Sequence, residues 1–263
     1  MPLYNAIMLN FAEPVKRIFY NLGFFAKTLK GVISFIRNYK ASYKVLVMQI
    51  LFTFVYALGI TTLLALAIGA AVNIIGGPFL ARLNQQQLMY TLLIIIITRE
   101  LGPLLTAFIV IARSATAIAT EIAGMVISHE VEAYISIGVD PIEHLAVPRF
   151  LGVTISLVLL NIYFSVFGLA GSYIISQFFN SIPIDLYFES LIHHLHIKDI
   201  ILSITKSVSF GAIISIGAVI QGFSVERAST EIPVAGLKAV SSSFAYCIIV
   251  NVLLSVLFYI VLV

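Results

Sequence analysis

Cysteine occurs once in 263 residues, as Cys247. That excludes an intramolecular disulfide framework and a cysteine-based zinc site. Charge is scarce as well: Asp, Glu, Lys and Arg make up 10% of the chain, against roughly 25% in a soluble domain. A water-soluble globule with an ordinary surface is therefore excluded. Fifteen basic residues against twelve acidic ones leave a net charge of +3, too little to suggest a nucleic-acid partner. Apolar residues supply 60% of the chain, which excludes disorder. No GxxxxGK[ST] phosphate loop is present; Ala26-Lys27-Thr28 lacks the preceding glycines. Any ATP used must be bound by another chain. GxSxG and a convincing acid pair are missing too, so no catalytic residue is assigned and no cofactor is expected. There is no internal repeat, low-complexity tract or polar linker.

What is present is apolar length. A membrane helix needs about 20 mostly apolar residues. Four stretches without Asp, Glu, Lys or Arg meet or approach this: Val45–Ala81, Phe150–Ile184, Ser207–Val225 and Ala239–Val263. Leu88–Ile127 is also apolar but carries Arg99, Glu100, Arg113 and Glu121. As one helix it would reach about 60 Å, twice the hydrocarbon thickness. Two short spans or one bent span are open; one span bent near Gly102-Pro103, extended beyond Arg113, is preferred. The expected fold is all-α: a polytopic membrane protein of about five transmembrane helices. Residues 1–44 hold seven Lys or Arg and one acid, Glu13, which places them in the cytoplasm. Outer loops are then expected at about 74–87 and 180–198, and inner ones at about 128–147 and 224–236.

Residues 1–44 read as a basic, amphipathic interfacial helix, and 45–263 as a single transmembrane domain. Phe11, Val15, Ile18, Phe19, Leu22, Phe25, Leu29, Val32, Ile33 and Ile36 share an arc of about 140°. Lys16, Arg17, Lys27 and Lys30 lie outside it. The helix is expected to break near Asn38, and its pattern suits the headgroup plane.

Arg99 and Glu100 interrupt the run LLIIIITRELGPLLTAFIVIA. A charge at the bilayer centre costs about 2.5–3.5 kcal/mol. Adjacent residues point about 100° apart on a helix and cannot pair face to face. Each therefore needs a partner elsewhere or a polar cavity. Arg113, Glu121 and Lys206 join them as intramembrane polar candidates. Ala115, Ala119 and Ala123, with Thr116, Thr120 and Gly124, form small-residue stripes suited to close helix packing. His193, His194 and His196 invite a metal reading, but no HExxH motif supports it. A solvated or interfacial cluster is the better reading, and no metal is expected.

The segment Ser128–Phe150 is acidic, through Glu130, Glu132, Asp140 and Glu143. Gly138 and Asp140-Pro141 mark a turn between two short helices. A short amphipathic helix in such a loop suits docking into a partner's groove.

Three stretches resemble the MlaE/YrbE permease family, the membrane subunits of ABC-type lipid transporters. They are Arg99-Glu100-Leu101-Gly102-Pro103; Ala112-Arg113-Ser114-Ala115 followed by Glu121-Ile122; and Glu130-Val131-Glu132-Ala133 with Gly138-Val139-Asp140-Pro141 and Pro148-Arg149. Asp199 with Lys206-Ser207 and Phe210 adds a fourth. Near the C-terminal end the chain departs from the family: Ala235-Gly236-Leu237-Lys238-Ala239-Val240 lacks the usual Thr pair, and Asn251-Val252 stands where Asp-Phe is expected.

The resemblance implies a homodimer in the bacterial inner membrane, seated on two cytoplasmic ABC ATPase subunits. It implies a coupling helix at about 128–141, through Glu130, Glu132, Ala133, Gly138, Asp140 and Pro141. It also implies a periplasmic MCE-domain protein, a STAS-domain protein in some members, and phospholipid as the cargo moved between inner and outer membranes. Leu64, Ile68, Val72, Leu253 and Leu257 are candidate walls of the lipid path. The rival reading is an ion-coupled secondary transporter with Arg99, Glu100 and Lys206 as a charge relay. Such folds show repeat symmetry, which this sequence lacks.

Overall fold

A computed structural model describes residues 23–33, 35, 43–179, 183–226 and 228–262. The described residues are helical, with short turns and no strand among them. Helix α1 covers 23–33. Five long apolar helices follow: α2 (Tyr43–Arg82), α3 (Leu88–Ile127), α5 (Ile142–Phe178), α7 (Ile197–Phe223) and α8 (Glu231–Ile260). Two shorter ones lie between them, α4 (Glu130–Ser136) and α6 (Ile184–His194). The chain is thus an all-α protein with five helices long and apolar enough to cross a membrane.

The helices run past the charge-free stretches. α2 continues through Pro78 to Arg82, so most of the expected 74–87 loop is helical. The expected 180–198 loop contains α6 and the start of α7. Charged side chains end an apolar run without ending a helix, because Lys and Arg are good helix formers and Asp199 stands in the first turn, where an acid is favoured. α7 begins at its own cap: the Asp199 carboxylate accepts the His196 backbone N–H at 3.2 Å.

α3 is one continuous helical run of 40 residues, not two spans. Two segments inside it have π-helical turns, Ile94–Leu101 and Ile111–Ala115. The Gly102 N–H donates to the Ile97 carbonyl, five residues back. Pro103 follows at once and has no N–H to donate. The widened turn thus stands immediately before the proline, where the bend was expected. Such π-turns are frequent at functional sites.

α3 is the most buried of the five long helices, whereas α2 and α8 are the least. Its neighbours are α5, α7 and α8, whose inward residues include Phe150, Leu157, Phe210, Ile214 and Cys247. Ala115, Ala119 and Ala123 are fully buried. On α7, a Cβ added at Gly222 would lie 2.7 Å from Ile122 Cβ and 3.0 Å from the Ala119 carbonyl. The small stripe is therefore the surface on which α7 approaches α3. α2 packs on α5 still more closely: a Cβ on Gly69 would sit 1.9 Å from the Gly168 carbonyl oxygen.

α1 turns Phe24, Thr28 and Gly31 toward the bundle, and Phe24 meets Phe223 with ring centroids 6.3 Å apart. Within the expected apolar arc, Phe25 and Val32 are half-buried while Leu29 and Ile33 are exposed. Phe11, Val15, Ile18, Phe19, Leu22, Ile36 and the expected break near Asn38 lie outside the described residues.

Candidate functional site

Two polar assemblies stand out in this apolar bundle. The first surrounds the π-turn of α3. Arg99 and Glu100 diverge, as helical geometry requires, and each finds a partner on α7. Arg99 Nη1 donates to Asp199 Oδ1 at 3.3 Å, with both side chains buried. Lys206 Nζ donates to Glu100 Oε2 at 2.7 Å. Lys206 is fully buried, and its other two donors go to Ser255 Oγ at 2.8 Å and the Arg99 carbonyl at 3.2 Å. Ser255 Oγ in turn donates to Glu100 Oε2 at 3.0 Å. All three ammonium hydrogens are thereby satisfied, the condition for keeping a buried lysine charged.

α8 closes the other side. The Arg99 guanidinium lies over the rings of Phe258 and Tyr259, at 4.3 and 4.6 Å from their centroids. Such cation–π contacts gain when desolvated. Next to this, Asn161 of α5 donates to Ser203 Oγ at 2.7 Å, and Ser203 Oγ donates to the Thr98 carbonyl at 2.7 Å. Helices α3, α5, α7 and α8 are thus tied at one level by polar side chains.

The other expected intramembrane residues lie elsewhere. Arg113 is exposed, donates to the Tyr56 carbonyl and faces the Tyr56 ring. Glu121 pairs with buried Arg149 at 2.8 Å, and Arg149 also donates to the Leu145 carbonyl at 2.9 Å. Neither Arg113 nor Glu121 belongs to the Arg99–Lys206 assembly.

The second assembly is the α3–α5 connection. α3 ends with His129 in the left-handed region, at φ 60°, which reverses the chain into α4. Glu130 and Glu132 occupy the first turn of α4, where the helix dipole favours acids. Glu132 accepts from His129 Nδ1 at 3.0 Å, and Glu130 from Ser128 Oγ at 3.1 Å. No residue of α4 is buried, Ala133 included, and Ile135 and Ile137 are 61% and 72% exposed. Gly138 has φ +80°, a conformation that glycine adopts without cost.

Asp140 then anchors the turn. It accepts the Ile142 N–H at 2.9 Å and pairs with Lys27 of α1 at 2.8 Å. Partial burial pushes the Asp140 carboxyl up. The Lys27 ammonium and the Ile142 amide outweigh burial and hold it below the ordinary carboxylate range. Pro141 follows, half-buried.

The expected lipid-path residues fall into two settings. Leu64, Ile68 and Val72 are partly buried against a cluster that includes Ala65, Leu93, Ile97 and Phe164. Leu253 and Leu257 stand exposed on α8. His194 stacks on Tyr90 at 5.9 Å and does not sit free.

Sequence reasoning gave no role to Ser255, Phe258, Tyr259, Asn161 or Ser203. Asn161 did carry a signal: a lone carboxamide in a charge-free span is costly without a partner. Ser255 and the two aromatics carried none, since serine and aromatics are common in apolar spans.

Residues 46–257 match the family described as Permease MlaE. A probable ABC transporter permease protein from Rickettsia felis is 28% identical over 81% of this chain and 83% of its own. One from Rickettsia bellii is 26% identical over 96% of this chain and 99% of its own. The chloroplastic protein Trigalactosyldiacylglycerol 1 of Arabidopsis thaliana is 28% identical over 77% of this chain and 58% of its own. With the Arg99-Glu100-Leu101-Gly102-Pro103 segment and the α4 connection both inside the matched region, the chain belongs to the MlaE permease family, and it is a multi-pass membrane permease of the ABC type.

Proposed function

We propose that this protein is the transport subunit of an ABC system that moves phospholipid between the inner and outer bacterial membranes. A separate cytoplasmic ATPase binds the nucleotide. Two copies form the transmembrane part in the inner membrane. An MCE-domain protein takes the lipid on the far side, with a STAS-domain protein as an accessory on the ATPase side.

The observation that carries this reading is the exposed helix α4. It joins two long spans, has an acidic first turn, and leaves Ile135 and Ile137 uncovered. A short apolar ridge flanked by acids suits a groove on a partner. Glu130, Glu132 and Ala133 would form the docking surface, with Gly138, Asp140 and Pro141 as its hinge. For the cargo, support comes from α2 and α8. Their long exposed apolar faces, including Leu253 and Leu257, suit acyl chains and a second copy. The name of the Arabidopsis relative contains a glyceroglycolipid, in keeping with a lipid cargo.

The charge-relay alternative gains little from the geometry. Glu100 and Lys206 are closed on each other, and Lys206 is fully buried.

Reconstitution with the ATPase tests the proposal. Glu132→Lys is expected to leave the permease folded, to weaken copurification with the ATPase and to lower lipid transfer. Full copurification and full transfer by this variant would remove α4 as the coupling element.

A further inference from the structure

A groove of about 680 Å³ lies between the start of α2, the second half of α3 and the start of α5. That volume falls in the range of small-molecule sites. Its rim is exposed, at Lys44, Met48, Phe52 and Glu121, and its floor is buried, at Ile118 and Arg149. The Arg99 assembly is far from it. From Arg99 to Glu121 is about 33 Å along α3, close to the roughly 30 Å of a hydrocarbon core. The two therefore sit at opposite faces of the membrane. The basic residues ahead of Val45 put the groove at the cytoplasmic face.

Arg149 is the group that an occupant would meet. It is 3% exposed. Nη1 donates to the Leu145 carbonyl at 2.9 Å, and Nη2 lies 2.8 Å from Glu121 Oε1. Nε has no hydrogen-bond partner, and a buried N–H left unpaired is costly. Nε and Nη2 share one edge of the guanidinium, the edge that takes an oxyanion with two parallel bonds. Glu121 fills only half of that edge, from a side chain 52% exposed. Turned out to water, its carboxylate loses little.

The other polar side chains of the wall are used on their own helices. Gln49 donates to Thr53 Oγ1 at 2.9 Å, and Thr120 to the Thr116 carbonyl at 2.9 Å. Two cations remain for a ligand's polar part, Arg149 on the floor and Lys44 at the rim. Met48 and Phe52 stand beside them for an apolar part. This division matches a phosphate carried on acyl chains, and anionic lipid is what the cytoplasmic leaflet offers to basic groups.

We propose that the groove binds an anionic phospholipid of the cytoplasmic leaflet. Its phosphate takes Nε and Nη2 of Arg149 and the Lys44 ammonium. Its acyl chains run past Met48 and Phe52 toward the bilayer centre. Glu121 is a placeholder on Arg149 that the phosphate displaces. The site does not rest on the transport reading, because this leaflet adjoins the groove whatever the cargo.

The chain has no tryptophan, so Phe52→Trp at the rim gives a single reporter in the purified full-length protein in neutral detergent. Dihexanoyl phosphatidylglycerol, dihexanoylglycerol and inorganic phosphate are titrated in turn, below the unfolding temperature of each variant. Only the phospholipid is expected to give a saturable emission change. Glu121→Gln should lower the midpoint roughly threefold, because a neutral amide competes less for the guanidinium. Lys44→Gln should raise it roughly fivefold through one lost charge-assisted contact at an exposed position. Lys30→Gln, which removes an exposed charge of α1 outside the groove, should leave it unchanged. An equal response to dihexanoylglycerol, a midpoint that Glu121→Gln fails to lower, or equal shifts from Lys44→Gln and Lys30→Gln overturns the site. Inorganic phosphate saturating at the same concentration overturns the lipid assignment. The titrations contain no ATPase, so their failure leaves the transporter reading standing.

Discussion

The ammonium of Lys206 lies 2.7 Å from the Glu100 carboxylate, on different helices and 106 positions apart in the chain. Neighbouring Arg99 is committed to Asp199. The consecutive charges Arg99 and Glu100 therefore belong to two separate pairs, and both pairs bind α3 to α7.

Removing one member should cost more than removing a pair. Glu100→Ala leaves Lys206 buried without its counter-charge, a loss of about 3–5 kcal/mol. Glu100→Leu with Lys206→Leu should cost much less. Replacing the adjacent Arg99 and Glu100 together should be the worst of the three, because it strands both Asp199 and Lys206. Thermal unfolding in detergent ranks the variants. A double Glu100/Lys206 variant less stable than Glu100→Ala would refute the pairing.

The α2–α5 crossing makes a sharper steric prediction. Gly69→Ala places a methyl where the Gly168 carbonyl stands, and should destabilise by about 1–3 kcal/mol or more. Gly59 lies on the same helix, and a Cβ added there would meet nothing within 4 Å. Gly59→Ala should instead stabilise by about 0.5–1 kcal/mol. Unfolding temperatures of the two single variants check the contrast.

Acid should loosen α1. The Asp140 carboxyl is held below its ordinary range, so its folded form binds a proton less readily than the unfolded one. Its contribution is fully present above the ordinary carboxylate range and is lost as pH falls through the depressed value. Hydrogen exchange over residues 23–33 should therefore rise in relative terms at low pH. Asp140→Asn should abolish the change, and an unaltered pH profile in that variant would sever the link to Lys27.

Glu121 gives a fourth test. It covers one face of buried Arg149, whose Nε already lacks a partner. Glu121→Gln should lower the unfolding temperature more than Glu226→Gln, which touches no buried cation among the described residues. Equal shifts would make the Glu121–Arg149 contact incidental.

Much of this molecule was written locally. Long apolar stretches can satisfy their backbone in a membrane only as helices, so four spans followed from composition, while only the structure made Leu88–Ile127 one continuous helix. Gly138 and Asp140-Pro141 fixed the turn after α4 because few residues accept such backbone angles. Arg99 and Glu100 announced themselves by their cost in an apolar run. Their partners did not. Asp199 and Lys206 sit seven residues apart on α7, and only the crossing of α7 over the π-turn of α3 decides which cation meets which acid. Ser255, Phe258 and Tyr259 are the same case: nothing in a serine or an aromatic of an apolar span signals a charge beside it. The helix ends were also decided by tertiary structure. α7 extends back to Ile197 because Asp199 is neutralised by Arg99 while capping the helix, and a contact 100 positions away in sequence leaves no periodicity to read.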